Sequence, residues 1–407
     1  MKEVCIVNYT SNAAVYGIGT YLAEYVYCLN QLGYKTTIVE LGTDDQKSEF
    51  YVKEDGNKRT IHFPYIFKGE IDRYNKGVCR VLRFYLEDSV NLVFHLHYWQ
   101  SDSLLDSLKT HFPQSKSVYT IHYSNWSASL QGNVALLKRI IHNREKEKNK
   151  EKYGHIIENY KMEKTFLEKF DRIVCLSDDR FNLIQRLYGI KEKVWLIPNG
   201  LRKNARNMSE KQKLMMREKF HISKDEKILL FVGRIESFKG IKQIIHCLYD
   251  LISDYPAFRL VVIGNGDING TAKKCNNVWS KVTFTGRLDK KTLYKWYQIA
   301  DIALFPSFFE ECSYVGIEML MHGLKIVASD GFGVRNMFHD DRNAKVARIE
   351  SLVVKSKFEK NLKRSILGLF KSDLTSTDIK NGAKESYQSK YSIEMMQEAY
   401  EELFNSL

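Results

Sequence analysis

The chain has 407 residues, 44% of them hydrophobic and 27% charged, with a net charge of +13. That length favours two domains over one, and the apolar fraction excludes wholesale disorder. No apolar run approaches the roughly 20 residues needed to cross a bilayer, and the opening Met1-Lys2-Glu3-Val4-Cys5 is too soon polar for a signal-peptide core. Seven cysteines without a Cys-x-x-Cys pair argue against a disulfide framework or a zinc site, so reduced thiols in a soluble, cytoplasmic protein are expected. The positive excess is uneven, with 11 basic against 7 acidic residues from Lys138 to Arg172, and 7 against 2 from Arg202 to Lys219. Anionic partners follow from it, whether nucleic acid, lipid or phosphorylated small molecules.

In chain order, the pattern predicts a strand at Val4–Asn8, a helix at Gly17–Leu32 ended by Gly33, and a strand at Thr36–Glu40. Further strands are predicted at Leu92–Leu96, Ser117–His122, Arg172–Leu176 and Val194–Ile197, with helical periodicity filling most gaps. The run Arg144–Lys152 reads either as a solvated helix laced with ion pairs or as an insertion facing a membrane or an acceptor. After Pro198-Asn199-Gly200 and a basic stretch to about Arg206, a second series begins. Its strands are predicted at Ile228–Val232, Leu260–Ile263, Lys281–Thr285, Ile302–Phe305 and Lys325–Ser329, and its helices at about Lys239–Ile252, Lys290–Ala300 and Tyr314–His322. Only helical signals follow Ser351. The fold class is therefore α/β, with two Rossmann-like, doubly wound domains facing across a ligand cleft. The expected domains are 1–200 and 201–389, with a last helix at about 390–407 crossing back onto the first.

Three segments carry chemistry. Tyr16-Gly17-Ile18-Gly19 joins the first strand to a helix, where glycines admit a close backbone approach and the helix N-terminus favours an anion; a tight strand–helix turn is an equal explanation. Without a third glycine the dinucleotide fingerprint is incomplete, although Glu40 follows about 20 residues on. In the second segment, Gly233 and Arg234 end a strand and Lys239 begins the next helix, five residues after Arg234. Two such cations can clamp a diphosphate, or can be surface charges on a loop. The third segment runs from Pro306 to Glu318. Ser313 is placed to cap a helix, so that the N–H groups of Ser313, Tyr314 and Val315 would face an anion. Glu310 lies before that helix and could hold sugar hydroxyls; Glu318, eight residues on and flanked by apolar residues, could accept a ribose diol.

The Gly-Arg-x-x-x-x-Lys-Gly segment, the later Pro-Ser-x-x-Glu and the Glu-x7-Glu spacing resemble retaining glycosyltransferases of family 4, which have the GT-B fold. The Gly17–Gly19 loop, Ile197-Pro198-Asn199-Gly200, Gly264-Asn265-Gly266 and Gly286-Arg287 fall in that family's order. The resemblance implies that Arg234 and Lys239 neutralise the nucleotide diphosphate, that Glu318 binds ribose and that Glu310 lies at the donor sugar. It implies that Arg287 and Leu288 read the base through backbone, that Tyr314 and Val315 give N–H groups to phosphate, and that His122 contacts the donor sugar. His95 and His97 alternate on a strand, so His97 is expected to face the cleft and His95 to be structural. The chain departs from the family with Glu311 and Ser313 in place of glycines, Cys312 in place of an aromatic, Lys325 in place of a proline, and Arg335 where an acid is common.

The expected activity is metal-independent, retaining transfer of a sugar from a nucleoside diphosphate, a UDP-sugar by preference, to a hydroxyl acceptor. No cofactor and no metal ligands are expected. The acceptor would be a glycan, a lipid-linked species or a peptide, in cell-surface or lipid-linked glycan synthesis at the inner face of the membrane. Tyr98, Trp99, Tyr123 and Trp126 could stack on an acceptor sugar or fill a core. The alternatives are a nucleotide-sugar epimerase or hydrolase on the same fold, and a basic protein binding nucleic acid or a membrane surface. The last leaves the ordered motifs unexplained, and nucleic acid is not expected as a partner.

Overall fold

The structure is a computed structural model that describes residues 2–9, 17–43, 49–64, 70–98, 102–203, 207–352, 354–371 and 374–407. Tyr16, Trp99 and Arg206, named above, lie outside the described residues. The chain divides into two compact units. The first comprises residues 1–124, 143–200 and 393–407, and the second 125–142 and 201–392.

The first unit is built on β1 (Glu3–Tyr9), β2 (Lys35–Thr43), β3 (Tyr51–Asp55), β4 (Lys58–Pro64), β5 (Leu92–Leu96), β6 (Lys116–Ile121), β7 (Arg172–Cys175) and β8 (Val194–Leu196). They form one sheet in the order β3-β4-β2-β1-β5-β6-β7-β8. Every neighbouring pair is parallel except β3–β4, a hairpin. The order reverses beside β1, which lies between β2 and β5. Val4, Cys5 and Ile6 in β1 are fully buried, as expected of a central strand covered on both faces. The last helix, Ile393–Asn405, belongs to this unit. It buries Ile393, Met396, Tyr400, Leu403 and Phe404, and Phe404 O accepts from Lys2 Nζ.

The second unit has β9 (Lys227–Val232), β10 (Phe258–Ile263), β11 (Val282–Gly286), β12 (Ile302–Phe305), β13 (Ile326–Ser329) and β14 (Lys345–Ala347). This sheet is parallel throughout, in the order β11-β10-β9-β12-β13-β14. Each predicted strand and helix has a counterpart within a few residues. The hairpin β3–β4 and the short β14 are additional. The charged run enters a helix only at Glu147, and the helix Glu147–Glu168 is broken by non-helical geometry at Tyr153.

The structure departs from the expected domain limits at residues 125–142, which the sequence places in the first domain and the fold places in the second unit. The cause is packing. Trp126 is buried, its ring meeting Phe332 edge-on at 6.0 Å, and Gln131 accepts from Lys355 Nζ at 3.4 Å. Trp126 is therefore a core residue and not an acceptor platform, whereas Tyr98 and Tyr123 are exposed.

Candidate functional site

In the second unit the site grows from the carboxyl ends of β9 and β12. These strands pair directly, Leu229 with Ile302 and Leu230 with Ala303, at the point where the strand order reverses and ligands of open α/β sheets bind. Beyond β9 the chain passes Gly233 and Arg234 and makes a short 3₁₀ turn at Ser237–Lys239, closed by Gly240 with φ 76°. A Cβ at Gly240 would stand 2.3 Å from Pro306 O, so the loop after β9 rests directly on the segment leaving β12. Phe308 N donates to Phe238 O at 2.8 Å and locks the same contact.

That backbone approach brings two predicted residues together. Lys239 Nζ donates to Glu310 Oε1 at 2.5 Å, with side-chain exposures of only 16% and 10%. Such charge-assisted bonds are the strong ones, provided both partners are present. Arg234 is exposed, pairs with Glu236 at 2.8 Å and lies over the Phe238 ring. Gly264 has φ 148°, and a Cβ there would stand 1.9 Å from Gly233 O. The loops after β9 and β10 thus interlock backbone to backbone. Asn265 Oδ1 accepts from Arg287 N at 3.0 Å, which ties the exposed Arg287 and half-buried Leu288 to the same cluster.

The helix Tyr314–Met321 starts at Ser313, whose hydroxyl accepts from Gly316 N. The cap takes up one first-turn donor and leaves the N–H groups of Tyr314 and Val315 at the positive end of the helix. Glu318 is buried. Tyr297 O–H donates to its Oε2 at 2.9 Å, and Lys290 Nζ stands 3.9 Å from Oε1. Burial pushes the Glu318 carboxyl up, while Lys290, Tyr297 and Tyr294 pull it back. Glu311 and Cys312 are buried too. All seven cysteines are buried and none forms a disulfide. Sequence reasoning missed Tyr297, Lys290 and Glu236 as partners, since each acts through a contact that spacing alone does not reveal.

The first unit holds the remaining predicted residues. Gly17 and Gly19 open the helix Gly17–Gln31. From its second turn Tyr21 meets the His122 ring edge-on, with centroids 4.6 Å apart. His97 and His122 follow the adjacent strands β5 and β6, and His97 Nδ1 lies 3.1 Å from His122 Nε2 in a hydrogen bond. His95 sits deeper, bonded to Tyr25 O–H at 2.6 Å and Thr120 Oγ1 at 2.8 Å. Burial holds all three imidazoles below their usual range, His122 at about 3. They are neutral at physiological pH. Among the described residues, no group of three or more His, Cys, Asp or Glu side chains is arranged as a metal site.

Two family models divide the chain between them. "Glycosyltransferase Family 4" matches residues 15–203, and "Glycosyl transferases group 1" matches residues 212–386. The fold also aligns with the structure of Anabaena HepE in complex with UDP-glucose, at a TM-score of 0.70 and 12% identity over all of both chains. The two parallel-sheet units with these loops have the GT-B fold of glycosyltransferases. The chain belongs to the family 4 glycosyltransferases. An uncharacterized glycosyltransferase of Methanocaldococcus jannaschii is 31% identical over 38% of this chain and 40% of its own length. D-inositol 3-phosphate glycosyltransferase 2 of Catenulispora acidiphila is 24% identical over 68% of this chain and 63% of its own length. These matches span less than two thirds of either relative.

Proposed function

We propose that the protein transfers a sugar from a nucleoside diphosphate to a hydroxyl acceptor with retention of anomeric configuration and without a divalent metal. The observation that carries this reading is the Lys239–Glu310 pair, set where β9 and β12 meet and flanked by the first turn of the helix Tyr314–Met321. In the proposed mechanism Lys239 and Arg234 face the diphosphate, with the N–H groups of the Ser313 cap and of Tyr314 and Val315 in the first turn. Charge grows on the departing phosphate, and fixed cations and dipoles stabilise it more than they stabilise the bound donor. Glu310 holds donor-sugar hydroxyls and Glu318 the ribose diol. Gly233 and Gly264 keep the loops close, and Arg287 and Leu288 read the base through backbone groups. In the first unit, His122 contacts the donor sugar, and Gly17 and Gly19 open the helix whose first turn faces it. The acceptor attacks from the face that the phosphate leaves, and the departing phosphate accepts its proton.

A UDP-sugar is the preferred donor, supported by the UDP-glucose complex of the Anabaena structure. The preferred acceptor is a lipid-linked glycan at an anionic membrane surface. The exposed cations Arg144, Lys146, Lys148, Lys150 and Lys152 of the first unit support that preference. The test is binding and hydrolysis of UDP-, GDP- and ADP-sugars in EDTA by wild type and Lys239→Ala. One nucleotide sugar bound without metal and lost in the variant is the expected result. Equal failure of both proteins with every donor sinks the diphosphate site.

A further inference from the structure

His97 follows β5 without touching any residue assigned a role other than His122. Its ring is 1% exposed and packs among His95, Tyr21, Tyr25 and His122, with centroids 4.2 to 5.7 Å away. One nitrogen, Nδ1, bonds His122 Nε2; the other, Nε2, is buried and has no hydrogen-bond partner. Two neutral imidazoles sharing one hydrogen bond allow two arrangements. If His122 Nε2–H donates, His97 Nδ1 is the bare nitrogen and His97 Nε2 carries a hydrogen with no acceptor. If His97 Nδ1–H donates, His97 Nε2 is the bare nitrogen, and the unmet group is a lone pair. Orphaned buried N–H groups are rarer in proteins than under-satisfied acceptors, which favours the second arrangement.

From this geometry we infer that His97 is a positioning residue that fixes the tautomer of His122. With His97 Nδ1–H donating, His122 Nε2 is the acceptor and His122 must carry its own hydrogen on Nδ1. Among the described residues Nδ1 makes no hydrogen bond, and the ring is half-buried, so this N–H is the group offered to a ligand. A sugar hydroxyl can donate or accept, and His97 thereby decides that it accepts. The neighbours preserve the arrangement. Tyr21 stacks edge-on against His122, and its hydroxyl is engaged by Tyr400 from the last helix. His95 is committed on both nitrogens to Tyr25 and Thr120. The role in catalysis rests on the proposed contact between His122 and the donor sugar; the tautomer itself does not.

The tautomer can be read without substrate. In protein labelled with ¹⁵N-histidine, with His122 assigned from the signal missing in His122→Gln, long-range correlation spectra distinguish a protonated from a bare ring nitrogen. Nδ1 protonated and Nε2 bare in the wild type is expected; the reverse overturns the inference. Two variants then separate positioning from packing. In His97→Asn the amide NH₂ can replace the Nδ1–H donor, whereas His97→Phe fills the space without one. Melting curves establish that both fold. His97→Asn should keep the His122 pattern, and His97→Phe should lose it, with donor-sugar hydrolysis falling roughly tenfold in kcat and KM little changed. Equal spectra for the two variants overturn the inference. If the spectra behave as expected but no variant alters hydrolysis, the tautomer stands and the sugar contact of His122 is what fails.

Discussion

Lys239 Nζ and Glu310 Oε1 stand 2.5 Å apart, so the cation assigned to the diphosphate is held by the acid assigned to the sugar. The two side chains come from loops 71 residues apart in sequence, and the contact exists because Gly240 lets the loop after β9 lie on Pro306. In the proposed donor site the cation is thus already oriented by the acid beside it.

Removing one partner strands the other. Lys239→Ala leaves a buried carboxylate without its cation and is expected to cost about 2 kcal/mol, besides abolishing nucleotide-sugar binding. Adding Glu310→Gln should recover most of the stability and none of the binding. Urea denaturation of the single and double variants, followed by nucleotide titration, checks both halves.

The ribose-binding role proposed for Glu318 sets it against stability. Burial raises its carboxyl above the unfolded value, so the ionised form costs stability. That cost is absent below the ordinary carboxylate range and grows as pH rises through the raised value. Glu318→Gln keeps an acceptor for Tyr297 and removes the charge. Its melting temperature should match or exceed wild type at pH 8 and show no advantage at pH 4, while nucleotide affinity falls about tenfold.

Gly240→Ala tests the backbone approach itself. At φ 76° an alanine is strained, and its Cβ collides with the Pro306 carbonyl. A loss of more than about 2 kcal/mol is expected, with weakened donor binding even though no side-chain charge has changed. Chemical denaturation and calorimetric titration measure the two effects.

The last helix closes the first unit through side chains buried on one face. Tyr400→Phe, which removes the hydroxyl bonded to Tyr21, should cost about 1 kcal/mol. Deleting residues 393–407 exposes the partners of Tyr400, Leu403 and Phe404 and removes more than about 5 kcal/mol of burial, comparable with a domain's whole stability. Limited proteolysis should then cleave within residues 1–200 before 207–352.

Central strands such as β1, β5, β9 and β12 were legible because burial on both faces demands unbroken apolar, β-branched runs. β3 was not, since all its residues but Val52 are exposed and it shows no apolar face; only the Gly56-Asn57 turn betrays the hairpin. β14 has three residues, too few for any period. The loops and residue types of the candidate site were legible, and part of each proposed role rests on family resemblance. Its pairings were not: Lys239 with Glu310 and Tyr297 with Glu318 are set by tertiary packing. Trp126 illustrates the same limit, because nothing in its neighbourhood along the chain announces Phe332.

The assignment of residues 125–142 to the second unit and 393–407 to the first means that neither unit is a continuous stretch of chain. A ribosome reaching residue 200 has released neither unit complete: the first still awaits its closing helix, and Trp126 awaits Phe332. Only when synthesis passes residue 392 can the second unit finish, and the first needs residues 393–407. Gene fragments cut at residue 200 would therefore yield two incomplete halves, and reconstitution of this enzyme from separately expressed pieces would require both to be present while they fold.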